Sequence, residues 1–483
     1  MHKAVDSVES VPRQRRTIWY MGVKTRVLPN FLDGVLADEA PLGATVVDLM
    51  SGSAAVAAHC ANHYRVYAND VQRYAQVISS SLIEHDPLRK SGFLESLDAR
   101  SALDSAFRSN LRALEKLYAR ALEAEESLLK RHASGDESDQ WCADYRRFLN
   151  QPRSVYAATG QKGPASHGGL YEEAQALLSD ESIAAYRHDP SRRPACLTTA
   201  YYANIYFGLR QSIVIDSLRA AIEDLPASSI HARETRTHYL SALLHVASIS
   251  TSGTSHFAQP RHTTKDSELK ALAARRTIDI FERFQFWSSE IALQVRETTH
   301  LSGNQAFSAP YREFINDGSQ GPELRFPGPV DLVYLDPPYT ADHYSRFYHV
   351  LEVLARHDYP ELDRDASGSV LRGRYPKLAG RFQSEFCLKT RVEEEFRTVV
   401  HATAGAGAKL VISYASPTGL LLKEYVRRFP EKDPVERLRQ LCRERYETVR
   451  VERMPLMHSG QGDSNLQIDE ILVVCTRPRG PKA

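Results

Sequence analysis

Asp336-Pro337-Pro338-Tyr339 directly follows a short apolar run, Asp331–Asp336 (DLVYLD). In an open parallel sheet, ligands bind beyond the carboxyl ends of strands, and this tetrapeptide occupies such a place. The residue types suit one kind of reaction, attack by an exocyclic amine. Such an amine is a poor nucleophile because its lone pair is delocalised into the ring. A fixed carboxylate (Asp336) and a fixed carbonyl (Pro337) can each accept one N–H and localise that lone pair toward an electrophilic carbon. Pro337 and Pro338 stiffen the backbone, which gives the preorganisation this attack needs. Tyr339 offers an aromatic face for a base. The plain alternative is a Pro-Pro turn behind a buried strand with Tyr339 packed against it.

A second group of residues could hold a nucleotide-like ligand. Asp48-Leu49-Met50-Ser51-Gly52-Ser53 ends an apolar run and opens an alanine-rich helix former, Ala54–Ala61. Gly52 lets the backbone approach a ligand closely, and a helix start favours electronegative groups. Asp70 stands 18 residues beyond Gly52 at the end of the next run, where an acid commonly accepts hydrogen bonds from a ribose diol. The loop is not a GxGxxG fingerprint, and the GKS or GKT of a phosphate-binding loop is missing, which argues against an ATPase. Tyr20-Met21-Gly22-Val23-Lys24 adds a lysine for a carboxylate and an aromatic ring for an adenine or methionine portion. A surface turn explains it equally well.

The elements that must position these residues are those of an α/β fold. Thr45–Met50 and Arg65–Ala68 read as strands, and Asp331–Asp336, Lys409–Tyr414 and Glu470–Cys475 as further ones. Each is a nearly continuous apolar run, as in strands covered on both faces. Between the two groups the pattern is helical: apolar residues recur at three- and four-residue spacing from Leu103 to Leu129. Further helices are predicted in the second half of Ala200–Leu225, over Tyr239–Ile249 and over Ser267–Arg296, while Gly160–Gly169 is a loop by composition. The expected fold is thus a Rossmann-like sheet split by a large, mainly helical inserted domain. Residues 17–80 form its first part, 81–300 the insert and 301–483 the second part.

With 483 residues, two or three domains are expected. Sixty-one Lys plus Arg against sixty Asp plus Glu leave a charge of +1, which neither demands nor excludes nucleic acid. Six scattered cysteines show no metal-ligand or disulfide spacing, so no metal is expected. No run approaches the roughly 18 apolar residues of a membrane span, and Met1–Arg16 lacks the apolar core of a signal peptide. The expected location is the cytoplasm, with no membrane partner.

In this order the motifs resemble the DNA adenine methylase family that places its cofactor site first and DPPY last. YMGVK leading into TRVLPNFL is similar to that family's N-terminal motif, DLMSGSAAVA to its cofactor loop and YAND to its ribose-binding strand end. DLVYLDPPYTADHYSRFYHVLEVLA is similar to its catalytic motif and the helix after it. The resemblance covers about a third of the chain, chiefly residues 17–75 and 325–355. It implies a methyltransferase sheet, S-adenosyl-L-methionine as cofactor, double-stranded DNA as partner and a flipped adenine. By the same resemblance Tyr20, Gly22 and Lys24 line the methionine end of the cofactor. Asp48, Ser51, Gly52 and Ser53 form the loop beneath it, and Asp70 holds the ribose. Asp336, Pro337, Pro338 and Tyr339 hold the adenine, with no covalent nucleophile. A restriction or defence component is a further partner it suggests. Two departures stand out. SGS replaces a loop where Phe or Tyr and a second Gly are frequent, and Phe307-Ser308-Ala309 lacks the acid often found on the preceding strand.

An RNA adenine or the amino group of cytosine would be served by the same tetrapeptide. A non-catalytic protein of this fold that reads DNA or senses the cofactor is the alternative of another class. Tyr344 and Arg346 are secondary candidates for cofactor or phosphate contact, and His349 reads as a packing or capping histidine. Ser255, His256 and Arg261, and the cluster Arg187, His188, Arg192 and Arg193, are candidates for contact with DNA, against the plain reading of solvated faces.

Overall fold

A computed structural model describes residues 24, 27–84, 97–150, 169–253, 256–261, 264–297, 301–316, 323–457 and 467–479. Its centre is a seven-stranded sheet: β1 (Thr45–Asp48), β2 (Arg65–Asp70), β3 (Gln305–Ser308), β4 (Leu332–Leu335), β5 (Lys409–Ser416), β6 (Tyr446–Met457) and β7 (Gln467–Pro478). The spatial order is β3-β2-β1-β4-β5-β7-β6. The first five are parallel, while β7 runs antiparallel to both β5 and β6. This mixed α/β architecture is consistent with a methyltransferase fold.

The chain leaves β1 toward one edge and returns as β4 on its other side, so the strand order reverses between these two. That is the switch point at which open α/β sheets bind ligands. β1 and β4 pair with Val47 opposite Val333 and Asp48 opposite Tyr334. The loops that follow them therefore open side by side. Both strands are buried along their whole length, which the uninterrupted apolar runs require.

Side chains alternate across the sheet, and the two faces carry different layers. Val46, Leu332 and Tyr334 face one core, while Val47, Val333 and Leu335 face another. The second face is covered by α15 (Val392–Gly405), α16 (Leu420–Arg428) and α17 (Glu436–Arg443), through Phe396, Val399, Leu421 and Leu438. On the first face lie α1 (Asp33–Glu39), α2 (Ala55–Cys60), α3 (Arg73–Ile83) and α14 (His349–Arg356), the last preceded by the single turn α13 (Tyr344–Phe347).

The described residues between α3 and β3 are helical: α4 (Leu97–Leu117), α5 (Ala119–Ala133), α6 (Asp139–Leu149), α7 (Asp180–His188), α8 (Leu197–Tyr201), α9 (Leu209–Asp224), α10 (Ile230–Ser250), α11 (Asp266–Arg276) and α12 (Ile280–Glu297). Ile213 of α9 and Leu243 and Val246 of α10 belong to the same buried cluster as Val46, Leu332 and the α3 residues Val77 and Ile78. Ser81 donates to Ser241 at 2.8 Å, joining α3 to α10, and the Arg219 guanidinium donates to the Leu354 carbonyl at 2.9 Å, joining α9 to α14. Among the described residues, α5, α6 and α11 enclose a separate small core, around Trp141, Tyr145 and Leu272.

Several boundaries differ from the sequence reading. The helix expected over Leu103–Leu129 is two helices, because Tyr118 leaves helical geometry at φ −111°, ψ 14° and buries its ring at the bend. In the apolar stripe of these two, Leu103, Phe107, Leu114, Tyr118 and Leu122 are buried and Leu111 is partly buried. The stretch Ser267–Arg296 likewise breaks at Thr277–Asp279. The expected loop Gly160–Gly169 lies, up to Gly168, outside the described residues.

Candidate active site

Beyond β1 the chain turns sharply over Leu49–Ala54. The Leu49 N–H donates to the Tyr334 carbonyl at 3.0 Å and the Ser51 N–H to the Asn69 carbonyl at 2.8 Å, which binds the turn to both neighbouring strands. Gly52 has φ +48°, a conformation that side chains other than hydrogen resist. The Asp70 carboxylate spans the gap to the turn after β2. It accepts the Gly52 N–H at 3.0 Å on one oxygen and the Gln72 N–H at 2.9 Å on the other. Burial outweighs these bonds and pushes Asp70 up from 3.8 to about 6.

Asp48 is 2% exposed and neither of its carboxylate oxygens has a hydrogen-bond partner. The N–H of Ala57 eases its charge from nearby without reaching hydrogen-bonding geometry. Burial, with Asp336 and Asp70 adding repulsion, holds this carboxyl well above its ordinary range. An unpaired buried carboxyl of this kind is costly, and a cationic ligand would satisfy it.

Beyond β4, Asp336 lies in a compact polar cluster. Lys24 Nζ stands 2.9 Å from Asp336 Oδ1 and 3.1 Å from Glu470 Oε1. The Tyr339 hydroxyl lies 2.7 Å from Asp336 Oδ1 and 2.8 Å from Glu470 Oε1, and it accepts from Lys24. Ser413 donates to the same Glu470 oxygen. One phenolic proton thus serves two carboxylates, so at any moment one of those contacts lacks its hydrogen. Burial raises Asp336 above its usual range although Lys24 opposes it. Burial would depress Lys24, but Asp336 and Glu470 overcome that and leave it raised.

Tyr339 is fixed by more than its hydroxyl. Lys24 Nζ sits 4.7 Å from its ring centroid, and Tyr414 meets the ring edge-on at 5.3 Å. Its carbonyl accepts the Leu420 N–H at 2.8 Å, which ties the tetrapeptide to the start of α16.

One cavity of about 370 Å³ joins the two loops. Asp48, Ser51, Gly52, Ser53 and Asp70 line one side of it, and Lys24, Asp336, Pro337, Pro338 and Tyr339 the other. Every described member of the predicted site therefore faces the same space. Tyr20 and Gly22 lie outside the described residues. Glu470, Tyr344, Phe382 and Cys387 line it as well. Burial pushes the Cys387 thiol up to about 12, so it is not a thiolate near neutral pH. The sequence pointed to Tyr344 but not to Glu470, whose one signal is a carboxylate opening an apolar run.

The secondary candidates separate. His349 is buried among Tyr202, Tyr206 and Tyr375, and its Nδ1 lies 3.0 Å from the Arg346 carbonyl. Burial lowers it to about 4, so it is a neutral packing histidine. Arg346 lies over the Tyr375 ring at 4.8 Å. In the basic cluster, Arg193 pairs with Asp224 at 2.5 Å, Arg187 donates to the Tyr359 carbonyl at 3.0 Å and Arg192 lies over Tyr186. His188 closes the last turn of α7 beside them. Arg261 donates to the Gly253 carbonyl at 3.3 Å and His256 packs edge-on against Phe347, while Ser255 lies outside the described residues. Among the described residues, no group of His, Cys, Asp and Glu could hold a metal, and no helix is long and apolar enough to cross a membrane.

The segment that contains the tetrapeptide is similar to a known enzyme class: residues 318–375 match the family model of D12 class N6 adenine-specific DNA methyltransferases. Individual relatives agree with it. The chain is 22% identical over 351 residues to modification methylase LlaI of Lactococcus lactis subsp. lactis, a match covering 71% of this chain and 39% of that protein. It is 32% identical over 96 residues to the type II methyltransferase M.FokI of Planomicrobium okeanokoites, across 20% of this chain and 13% of that one. The chain thus spans well under half the length of these curated relatives. The resemblance read from the motifs and the family-model match coincide on the DPPY segment.

Proposed function

We propose that this chain is an S-adenosylmethionine-dependent DNA methyltransferase that modifies the exocyclic amino group of adenine, as part of a restriction-modification or defence system. The observation that carries the reading is the single cavity between β1 and β4, with an unpaired buried carboxyl on one wall and the DPPY cluster on the other.

The residues present fit the cofactor. A cavity of about 370 Å³ is of the size that small-molecule sites have, roughly 300–1,000 Å³. Asp48 offers an acceptor to a positively charged group, Asp70 carboxylate oxygens to a ribose diol, and Ser51, Gly52 and Ser53 a wall of small residues. When bound, S-adenosylmethionine supplies a methyl group activated by its sulfonium. The remaining chemistry belongs to the chain. Lys24 and Tyr339 both contact Oδ1 of Asp336, so Oδ2 is the oxygen available to an incoming N–H. The Pro337 carbonyl takes the second N–H, and the amine lone pair is directed at the methyl carbon. As the new C–N bond forms, the methyl–sulfur bond would break with its electron pair going to sulfur, and the amine would lose one proton, for which the Asp336 carboxylate is the acceptor we assign.

The domain organisation we propose has residues 17–80 and 301–483 forming the catalytic unit, with the helices described within residues 81–300 supplying the surface that reads duplex DNA. The experiment that tests the function uses tritiated S-adenosylmethionine and unmethylated bacterial genomic DNA, digested to nucleosides. Label in N6-methyladenine, abolished by Asp336→Ala while S-adenosylhomocysteine still binds, supports the reading. Label in cytosine, or in RNA alone, replaces the substrate, and no label in either nucleic acid refutes it.

A further inference from the structure

Glu470 comes from a part of the chain that no motif covers. It opens the apolar run of β7, the antiparallel strand, and lies opposite Ala415 of β5. It is 4% exposed. One of its oxygens, Oε1, meets three groups: Lys24 Nζ at 3.1 Å, the Tyr339 hydroxyl at 2.8 Å and the Ser413 hydroxyl. Two of these, Lys24 and Tyr339, are the groups that grip Asp336 Oδ1. A second carboxylate so close to Asp336 is electrostatically unfavourable unless shared cations and hydroxyls hold the pair together. A purely structural polar residue at the end of an apolar strand would have no need to converge on both partners of the reacting carboxylate.

We propose that Glu470 is a positioning residue for the methyl-transfer site: it anchors Lys24 and the Tyr339 hydroxyl, and through them fixes the Asp336 carboxylate with one oxygen committed and the other open to the substrate amine. This rests on the function proposed above. Lys24 has three N–H donors, which point to Asp336, Glu470 and Tyr339, so the loss of Glu470 frees one and lets the ammonium swing. Ser413, two residues before Ala415 on β5, donates to Glu470 and restrains it further. The groups that face Asp336 are Lys24 ahead of α1, Asp48 of β1, Tyr334 of β4, Tyr339 and Tyr344 after it, and Glu470 of β7.

Two readouts test this on the full chain with Glu470→Gln, which keeps the shape and removes the charge. The first needs no activity: the Lys24 13Cε resonance, assigned by its loss in Lys24→Arg, is followed through an alkaline titration. Its midpoint is expected to fall by about one unit or more when the neighbouring charge is removed. An unchanged midpoint overturns the proposal, whatever the protein methylates. The second is steady-state methylation of genomic DNA. The expected result is kcat about 10- to 100-fold lower, with KM for cofactor and DNA within about threefold of the parent. A loss confined to KM, or no loss, overturns the positioning role. If Glu470→Gln does not fold, Ser413→Ala takes its place: it keeps the charge, and a smaller fall in kcat with unchanged KM is expected. A parent that labels no nucleic acid refutes the proposed function instead, and the Lys24 titration then still decides whether Glu470 holds the ammonium.

Discussion

Replacing Tyr339 with Phe keeps the ring and removes only the hydroxyl that lies between Asp336, Glu470 and Lys24. The hydroxyl has a single proton, so one bond to a carboxylate is lost, not two, together with the bond the hydroxyl accepts from Lys24. Such bonds to charged groups are worth about 1.5–3 kcal/mol. Lys24 keeps both of its carboxylate partners in the variant, so its lost contact with the hydroxyl adds little to this figure. With about 1.4 kcal/mol for each factor of ten, kcat is expected to fall about tenfold to a hundredfold. The assay is initial-rate transfer of tritiated methyl to DNA, with S-adenosylhomocysteine affinity measured by calorimetry as a control that should stay within a few-fold. Tyr339→Ala, which also removes the ring from beside Tyr414, is expected to lose more activity and to melt at a lower temperature. If the Phe variant runs within threefold of the parent while the Ala variant is inactive, the ring alone matters and the reasoning from the hydroxyl network fails.

Asp70 carries a carboxyl raised to about 6 from an ordinary 3.8, so its folded form holds a proton in a window where the unfolded chain has lost it. Its contribution to stability therefore falls as pH rises from about 4 to about 6, and Asp70→Asn should flatten that slope in chemical denaturation. The proposed diol contact has the opposite dependence: cofactor-product affinity should weaken as pH drops below about 6 in the parent and become pH-independent in Asp70→Asn, as read by calorimetry. At Gly52, φ of +48° makes Gly52→Ala cost about 1–2 kcal/mol, read as a lower denaturation midpoint, and a methyl on the cavity wall should weaken S-adenosylhomocysteine binding.

The parallel half of the sheet was legible because β1, β2, β4 and β5 are short runs buried on both faces, and such runs leave little besides apolar residues in the sequence. β6 was not read. Its segment YETVRVERMPLM alternates charge with half-buried apolar residues, as a sheet-edge strand does, and lacks the continuous run. β3 is only four residues long and partly exposed, too little for a pattern. The site divides along similar lines. Asp48, Asp70 and Asp336 could be placed because each ends a strand whose direction the pattern reveals. Glu470 could not, since its role comes from the antiparallel pairing of β7 with β5, and that register is written in no local stretch. The partnership of Lys24 with Asp336 joins residues 312 positions apart, and only the folded chain brings them together.

The apolar cluster that runs without interruption from the sheet into α9 and α10 bears on how such a protein can change over time. A specificity unit that sat on its own foundation could be exchanged between relatives as a cassette. Here, excising the helices between α3 and β3 would strip α3, with its Val77 and Ile78, and α14, both in the layer on the first face of the sheet, of the neighbours α9 and α10 that they pack against. If these helices read DNA as proposed, new target preferences are expected to arise by substitution in place. The side chains of α5, α6 and α11 that enclose the small interior around Trp141 lie outside that cluster, so substitutions there are the least tied to the sheet.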